Sequence, residues 1–474
     1  MAEPGSTDPH HLIRAELLGR PVAVANAGVE LFADELDRQG VPVERVDWRP
    51  PEPGSEEALA RLALEAGSIA RANDEAVARM DDAQPLLVGV GAARDLLPDV
   101  GDRTILHAGP PIEWADMSGP LRGAVIGAAV YEGLAGDHED AARRAAAGEF
   151  EFRPCHERGA VGPMAGVVSP SMPMCVVENA THGNRAFCTF NEGLGKVLRY
   201  GANDAEVLAR LVWIRDVLAR VFARALERLG EPVDVRAMIA QALQMGDEGH
   251  NRNRAGTSLL LRTLLPALIE LDEPSADTAA VARFIAGNDH FFLNMTMPAA
   301  KATADAAAGI DRSSIVVAMA RNGTEFGVRL SGTGDRWFTG PSGMIDGLYL
   351  PGFGPEDANP DIGDSTITET VGLGGFAMAA SPAIVRVVGG GAEDALEATR
   401  AMYDICWSES RSYQIPALGF RGTPFGIDCR EVVHTRVLPF VNTGIAHREP
   451  GVGQIGAGVV KPPMEAFVKA VRAL

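Results

Sequence analysis

The sequence predicts a mixed architecture, α/β plus α+β: an N-terminal Rossmann-like parallel α/β domain, a mixed α+β body and a small helical domain. Three observations lead there. Short apolar runs alternate with helix-period segments over the first 150 residues, strongly periodic helices fill 203–285, and glycine and β-branched residues dominate most of the remainder. A chain of 474 residues also exceeds what one hydrophobic core organises. The expected partition is 1–150 for the α/β domain, 203–285 for the helical domain, and 151–202 with 286–474 for the body.

Taken in order, residues 21–25 read as a strand, 29–38 as a helix stopped by Gly40, and 43–47 as a second strand. That is a β-α-β unit with parallel strands. Proline and glycine at 50–54 mark a surface loop, 56–80 reads as helix, and 86–91, 104–107 and 124–126 read as short strands. Residues 152–201 carry Gly, Pro, Ser and Met with little periodicity, a texture of functional loops. Asn203 is the expected N-cap of the next helix, with Glu206 three residues on. Val207, Leu211, Ile214, Leu218, Phe222 and Leu229 then repeat at helical spacing until Gly230 ends the run. Helices at 235–245 and 258–271 follow, separated by a polar knot at 246–253. Further strands are expected at 314–319, 327–330, 384–388 and 431–437.

Composition narrows the function. Hydrophobic residues at 46% and charged residues at 22% are those of a folded globular protein. No run approaches the roughly 20 apolar residues of a membrane span, and the polar start lacks a signal pattern. The expectation is a cytoplasmic protein without a membrane partner. Five widely spaced cysteines with no Cys-x-x-Cys pair argue against a disulfide framework or structural zinc. A net charge of −20 argues against nucleic acid, yet leaves room for small anions, because a few cations can focus a local positive field.

Several familiar sites are excluded. Asn26-Ala27-Gly28 and Asp47 have the spacing of a dinucleotide-binding unit, but the Gly-x-Gly-x-x-Gly fingerprint is missing. The phosphate-binding P-loop, His-Glu-x-x-His, Gly-x-Ser-x-Gly and the Ser-x-Arg-Thr-Arg loop of aspartate and ornithine carbamoyltransferases are missing as well. Cys155-His156 reads better as a buried loop cysteine than as a catalytic pair.

Four dense polar groups remain. The first runs from Pro154-Cys155-His156 to Gly162-Pro163-Met164-Ala165-Gly166, and the second from Glu178-Asn179-Ala180-Thr181-His182-Gly183-Asn184 to Asn191-Glu192-Gly193-Leu194-Gly195-Lys196. The third joins the knot Gly246-Asp247-Glu248-Gly249-His250-Asn251-Arg252-Asn253 to Gly287-Asn288-Asp289-His290-Phe291-Phe292-Leu293-Asn294. The fourth holds Met319-Ala320-Arg321-Asn322-Gly323-Thr324, Asp361-Ile362-Gly363-Asp364-Ser365, Gly372-Leu373-Gly374-Gly375-Phe376 and Asn442-Thr443-Gly444-Ile445-Ala446-His447. With 46–51 and 107–111, these strings resemble the YlbE/AllG subunit family of oxamate carbamoyltransferase from about residue 20 to the end. The resemblance implies an N-terminal α/β domain, an α+β body and a small helical domain. It also implies a carbamoyltransferase subunit of anaerobic allantoin and purine degradation, working with two further subunits. The reaction would join oxalurate and phosphate to give oxamate and carbamoyl phosphate. A non-catalytic binding or scaffolding subunit, and a relative redirected to another acyl or amide-transfer substrate, stay open.

Such chemistry suggests residues. Arginine suits bidentate recognition of carboxylate or phosphate, which makes Arg252, Arg321 and Arg421 substrate-binding candidates. The departing nitrogen needs a general acid, and His250 beside Asp247 and Glu248 is the candidate, with Asn251 and Asn253 as neighbours. An inter-helix turn capping both flanking helices explains much of the same string. His290 with Asn288 and Asn294, Asn184, Asn322, and Asn191, Glu192 and Lys196 complete the substrate-binding set, although a helix-start salt bridge serves the last three equally. Gly374 and Gly375 could form an anion-binding nest, with tight turns as the alternative. No cofactor is expected. Asp247, Glu248 and His250 could reach a metal, but their spacing is not diagnostic and no metal is assigned. Self-association is compatible with all of this.

Overall fold

The computed structural model describes residues 24–45, 50–385 and 389–474. They fall into two units, Met1–Pro51 and Glu52–Leu474. In the first, β1 (Val24–Asn26), α1 (Glu30–Arg38) and β2 (Val43–Arg45) form a β-α-β unit. Its strands are parallel, as predicted, with Val24 opposite Val43. The predicted strand positions 21–23, 46–47 and 386–388, and Asp47 with them, lie outside the described residues.

The second unit opens with α2 (Glu56–Leu64) and α3 (Ala66–Asp82), two helices where one was expected. Then come β3 (Pro85–Ala92), β4 (Thr104–His107), α4 (Gly119–Tyr131), α5 (His138–Ala146), β5 (Glu151–Pro154), β6 (Ala160–Val161), β7 (Pro173–Asn179) and β8 (Arg185–Thr189). The strands before residue 150 do not share one parallel layer. β3 runs antiparallel to β7 in a five-stranded sheet of order β6-β8-β7-β3 with a final strand, while β4 pairs in parallel with β5. The result is mixed α+β, and among the described residues of this stretch there is no Rossmann-like sheet. β7 and β8 occupy a stretch read as loop. Both are largely buried, so no alternation of apolar and polar residues betrays them.

Residues 124–126 are helical, part of α4, which buries residues on every face and therefore lacks helical periodicity. Gly123 and Gly127 permit that burial, because a Cβ would sit 2.3 Å from the Gly201 carbonyl at one and 2.4 Å from Leu198 at the other.

The periodic run becomes α6 (Ala205–Trp213), a π-helical turn Ile214–Leu218 and α7 (Ala219–Leu229), closed by Gly230 in the left-handed region. Its N-cap is Asp204, one residue later than predicted. The carboxylate accepts from Val207 N at 3.0 Å, while Asn203 turns to the Gly123 carbonyl at 2.8 Å. Asp204→Ala should cost about 1 kcal/mol of stability; a change in urea midpoint no larger than for an exposed control substitution would refute the cap.

β9 (Val233–Asp234) completes the five-stranded sheet. The helices α8 (Val235–Gln244), α9 (Arg254–Glu270) and α10 (Ser275–Gly287) lead into α11 (Leu293–Asp305), the spine of the molecule. Every residue of α11 before Asp305 is buried, Asn294 and Lys301 included. It lies on β7, β8 and the single helical turn Ile367–Thr370.

Beyond it, β10 (Val316–Asn322), β11 (Glu325–Leu330), β12 (Phe338–Pro341), β13 (Asp346–Tyr349) and β14 (Ile362–Gly363) precede α12 (Ala392–Met402). Next come β15 (Cys406–Ile415), β16 (Arg421–Ile427), α13 (Cys429–Thr435), β17 (Val441–Ala446), β18 (Gln454–Val460) and α14 (Met464–Ala473). The predicted strand at 431–437 is largely α13, because Asp428 accepts from Arg430 N at 2.9 Å and starts a helix. β10 to β12 and β14 form one antiparallel sheet, and β13, β18 and β17 another. Among the described residues no helix is long and apolar enough to cross a membrane.

Candidate functional site

The knot between α8 and α9 is buried, not a solvated turn: Asp247, Glu248, His250 and Asn253 are each at most 3% exposed. Asp247, Glu248 and His250 take different hydrogen-bond partners. The Asp247 carboxylate caps α9, accepting from Gly256 N at 2.9 Å, and burial raises its pKa. Glu248 accepts from the backbone N–H of His250 at 3.1 Å, from that of Arg252, and from Asn442 Nδ2 at 3.0 Å. Burial pushes its pKa up to about 7. Among the described residues no group of three His, Cys, Asp or Glu side chains is arranged to hold a metal.

His250 takes its carboxylate partner from elsewhere in the chain. Its Nδ1 lies 2.8 Å from Oε1 and 3.1 Å from Oε2 of Glu369, on the turn Ile367–Thr370. Glu369 is fully buried and held by the Thr368 hydroxyl and Gly375 N, both at 3.0 Å. An acceptor at Nδ1 fixes that nitrogen as the donor and leaves Nε2 with the lone pair. Sequence reading missed Glu369. Its signal is a lone acid in the stretch 365–380, between two of the polar strings.

Gly374 and Gly375 make this contact sterically feasible. A Cβ at Gly374 would lie 2.1 Å from Glu369 Oε1, and one at Gly375 would lie 1.8 Å from the Phe440 carbonyl. Their N–H groups are already engaged, Gly374 with the Glu248 carbonyl at 2.7 Å and Gly375 with Glu369. The nest read from these glycines therefore holds oxygens of the protein itself, which corrects their assignment to substrate.

A chain of amides approaches the knot from the other side. Asn288 donates to Asn191 Oδ1 at 2.9 Å, and Asn191 donates to Asn294 Oδ1 at 2.9 Å and to the His290 carbonyl at 2.8 Å. The His290 ring hydrogen-bonds the Asn251 backbone, and burial lowers its pKa to about 3, helped by the charge of Arg199. Six buried polar atoms here have no protein partner: Asn251 Nδ2, Arg252 Nε, Asn253 Oδ1, His290 Nδ1, Asn294 Nδ2 and Asn442 Oδ1. Each such orphan costs about 1–3 kcal/mol if nothing binds it, and buried polar groups of this kind call for a partner such as water, an ion or a ligand. Beside it, a groove of about 480 Å³ is lined by Glu192, Lys196, Arg210, Arg283 and Asn288, among others. Glu192 is fixed to Leu198 N at 3.0 Å, and Lys196 is exposed and ion-paired with Asp204.

Four other candidates are committed elsewhere. Arg321 is buried, and all five of its N–H groups are engaged: Asp361 holds Nε at 2.6 Å and Nη2 at 2.8 Å, and Gly363 O, Thr366 and Thr443 take the rest. No donor remains for a substrate carboxylate. Asn322 secures the β10–β11 turn through Pro110 O, Thr324 N and Glu325 N. Asn184 closes the β7–β8 turn, donating to the Ala302 carbonyl at 2.8 Å. Arg421 is exposed on β16, bonded to Glu409 at 2.9 Å and stacked 3.6 Å over Tyr403. The structure thus gathers Asp247, Glu248, His250, Asn251, Arg252, Asn253, Asn191, Asn288, His290 and Asn294, and adds Glu369, Asn442 and Arg199.

The chain is similar over most of its length to known proteins. Residues 150–365 match the family model described as oxamate carbamoyltransferase subunit AllG. The oxamate carbamoyltransferase subunit AllG of Escherichia coli (strain K12) is 48% identical over 409 residues, 86% of this chain and 98% of that protein. The uncharacterized protein YahG of the same organism is 47% identical over 460 residues, covering 96% of this chain and 97% of YahG. A crystal structure of a conserved protein of unknown function from Enterococcus faecalis V583 superposes with a TM-score of 0.84 at 48% identity, over 86% of this chain and 97% of that one. Identity of this extent, over 86% of the chain, settles the kinship that the polar strings suggested: the chain belongs to the AllG family of oxamate carbamoyltransferase subunits.

Proposed function

We propose that this chain is a subunit of an oxamate carbamoyltransferase and that His250, oriented by Glu369, transfers the proton in the phosphorolysis of oxalurate. One observation carries the reading: a buried imidazole, fixed at Nδ1 by a buried carboxylate, stands beside unpartnered polar atoms. In that reaction a phosphate oxygen attacks the carbamoyl carbon and the bond to the oxamate nitrogen breaks. The phosphate loses a proton and the departing nitrogen gains one. A single imidazole performs both transfers when Nε2 accepts the first proton and delivers it to nitrogen. Glu369 stabilises the imidazolium formed between the two transfers. The orphan amides of Asn251, Asn253 and Asn294 supply donors and acceptors for the acyl urea. The substrates are small anions, oxalurate and phosphate, and two further subunits complete the enzyme in the cytoplasm.

The runner-up is a scaffolding role, favoured by the internal engagement of Arg321 and of both glycine N–H groups. The three-subunit complex, reconstituted and supplied with oxalurate and phosphate, separates the two. His250→Gln should lower carbamoyl phosphate formation about a hundredfold or more without impairing assembly, and Glu369→Gln should lower it less. Turnover within a few-fold of wild type in both variants would leave the scaffolding role. A wild-type complex inert towards oxalurate but active on another acyl urea or amide would move the substrate and keep the site.

A further inference from the structure

We propose a second site, for a small oxyanion, where His156, Arg329 and Trp337 meet against the β11–β12 edge of the four-stranded sheet. It shares no residue with the His250–Glu369 pair and does not depend on the role given to that pair.

The geometry is unusual in its excess of donors. His156 is 2% exposed, and neither ring nitrogen has a hydrogen-bond partner. Arg329 is 8% exposed, and its Nε is equally unpartnered, as is the indole Nε1 of Trp337. The three side chains are mutual neighbours. The His156 ring stands edge-on to Trp337 with centroids 5.7 Å apart, and the guanidinium carbon of Arg329 lies 5.6 Å from the same indole. Asp364 is the nearest acidic group, 3.6 Å from His156 Nε2, which is beyond hydrogen-bonding distance. Its carboxylate is turned instead to Gly109 N at 2.8 Å and Gly162 N at 3.0 Å.

Charge points the same way. Burial, with the nearby positive charges of Lys301 and Arg329, holds the His156 pKa well below its ordinary value, so the ring is neutral and offers one N–H. Lys301 is 2% exposed and bonded to Asp305 at 2.6 Å, and the acid paired with Arg329 is Asp335, whose side chain is 97% exposed. The carboxylates paired with these cations are partly or fully exposed, Asp305 at 26% and Asp335 at 97%, whereas the unpartnered nitrogens of His156, Arg329 and Trp337 are buried. Three donors with two cations behind them suit an acceptor of two or three oxygens bearing negative charge, as in phosphate or a carboxylate. Asp335 and Arg336 beside the cluster are exposed and Trp337 is half-buried, so the three side chains lie close beneath the surface.

Titration of the full chain with inorganic phosphate and, separately, with oxamate tests this through tryptophan fluorescence and calorimetry. At least one anion should bind with a dissociation constant below about 1 mM, and which one identifies the ligand as phosphate or carboxylate. Trp337→Phe keeps an aromatic ring but loses the pyrrole half of the indole with its N–H, and Arg329→Gln removes the charge. Each should weaken binding by about tenfold to a hundredfold. Two results overturn the proposal: no saturable binding of either anion to folded wild-type protein, or binding that both variants retain.

Discussion

Arg321→Met is expected to lower the free energy of unfolding by about 3–5 kcal/mol, the cost of removing one partner from a buried ion pair. Arg321 joins three strands of the body. It extends from β10, grips Asp361 with two parallel bonds, caps the Gly363 carbonyl on β14 and reaches Thr443 on β17. Methionine matches the length of the stem but strands the Asp361 carboxylate, which is 3% exposed. Replacing both partners with apolar residues should recover part of the loss, since no uncompensated charge remains. Urea unfolding of the two variants and the wild type measures this. A single-variant loss below about 1 kcal/mol, the scale of an exposed pair, would show that the pair does not anchor the body.

The second large effect depends on pH. Burial raises the Glu248 pKa from 4.5 to about 7 in the folded chain. Between those values the folded state keeps a proton that the unfolded state has lost. The resulting stability is complete below about pH 4.5 and disappears as pH rises through about 7, a change of about 3 kcal/mol. Glutamine cannot titrate. The stability of Glu248→Gln relative to wild type should therefore shift in the variant's favour by about 3 kcal/mol between pH 4.5 and 7.5 and stay level outside that window. Taking the difference cancels the titration of His107, His156 and His290, whose pKa values burial moves the other way. A difference that does not vary with pH would show that Glu248 remains ionised inside the fold.

These two residues also illustrate what was legible in the sequence. Both belong to conspicuous polar strings, and both are buried, so the strings located the interior chemistry. They did not reveal partners. His250 stands beside Asp247 and Glu248 in sequence, yet its ring bonds Glu369, 119 positions away, because consecutive side chains in a tight turn diverge. Arg321 carries the residue type that suits an anion site, but its engagement depends on β14 and β17 lying alongside β10. No local pattern encodes that. Secondary structure followed the same divide. The amphipathic run from α6 to α7 declared itself through periodicity, whereas α4, β7 and β8 are buried on most sides and carry no period to read. Sheet pairing was the least legible, since β3 has the composition of a parallel strand and finds an antiparallel neighbour in β7.

The bond between Glu248 and Asn442 spans 194 residues, and it has a consequence for synthesis. At about 5–20 residues per second, a ribosome needs roughly 10–40 seconds to travel from one to the other. Once α11 is complete, and until residue 442 emerges, the nascent chain holds the knot, the amide chain and the spine without the strand that carries Asn442. Glu369 arrives only part of the way through. Any cellular factor that shields apolar surface would meet this protein before residue 370 is made, with the face of α11 that packs on the turn Ile367–Thr370 still uncovered.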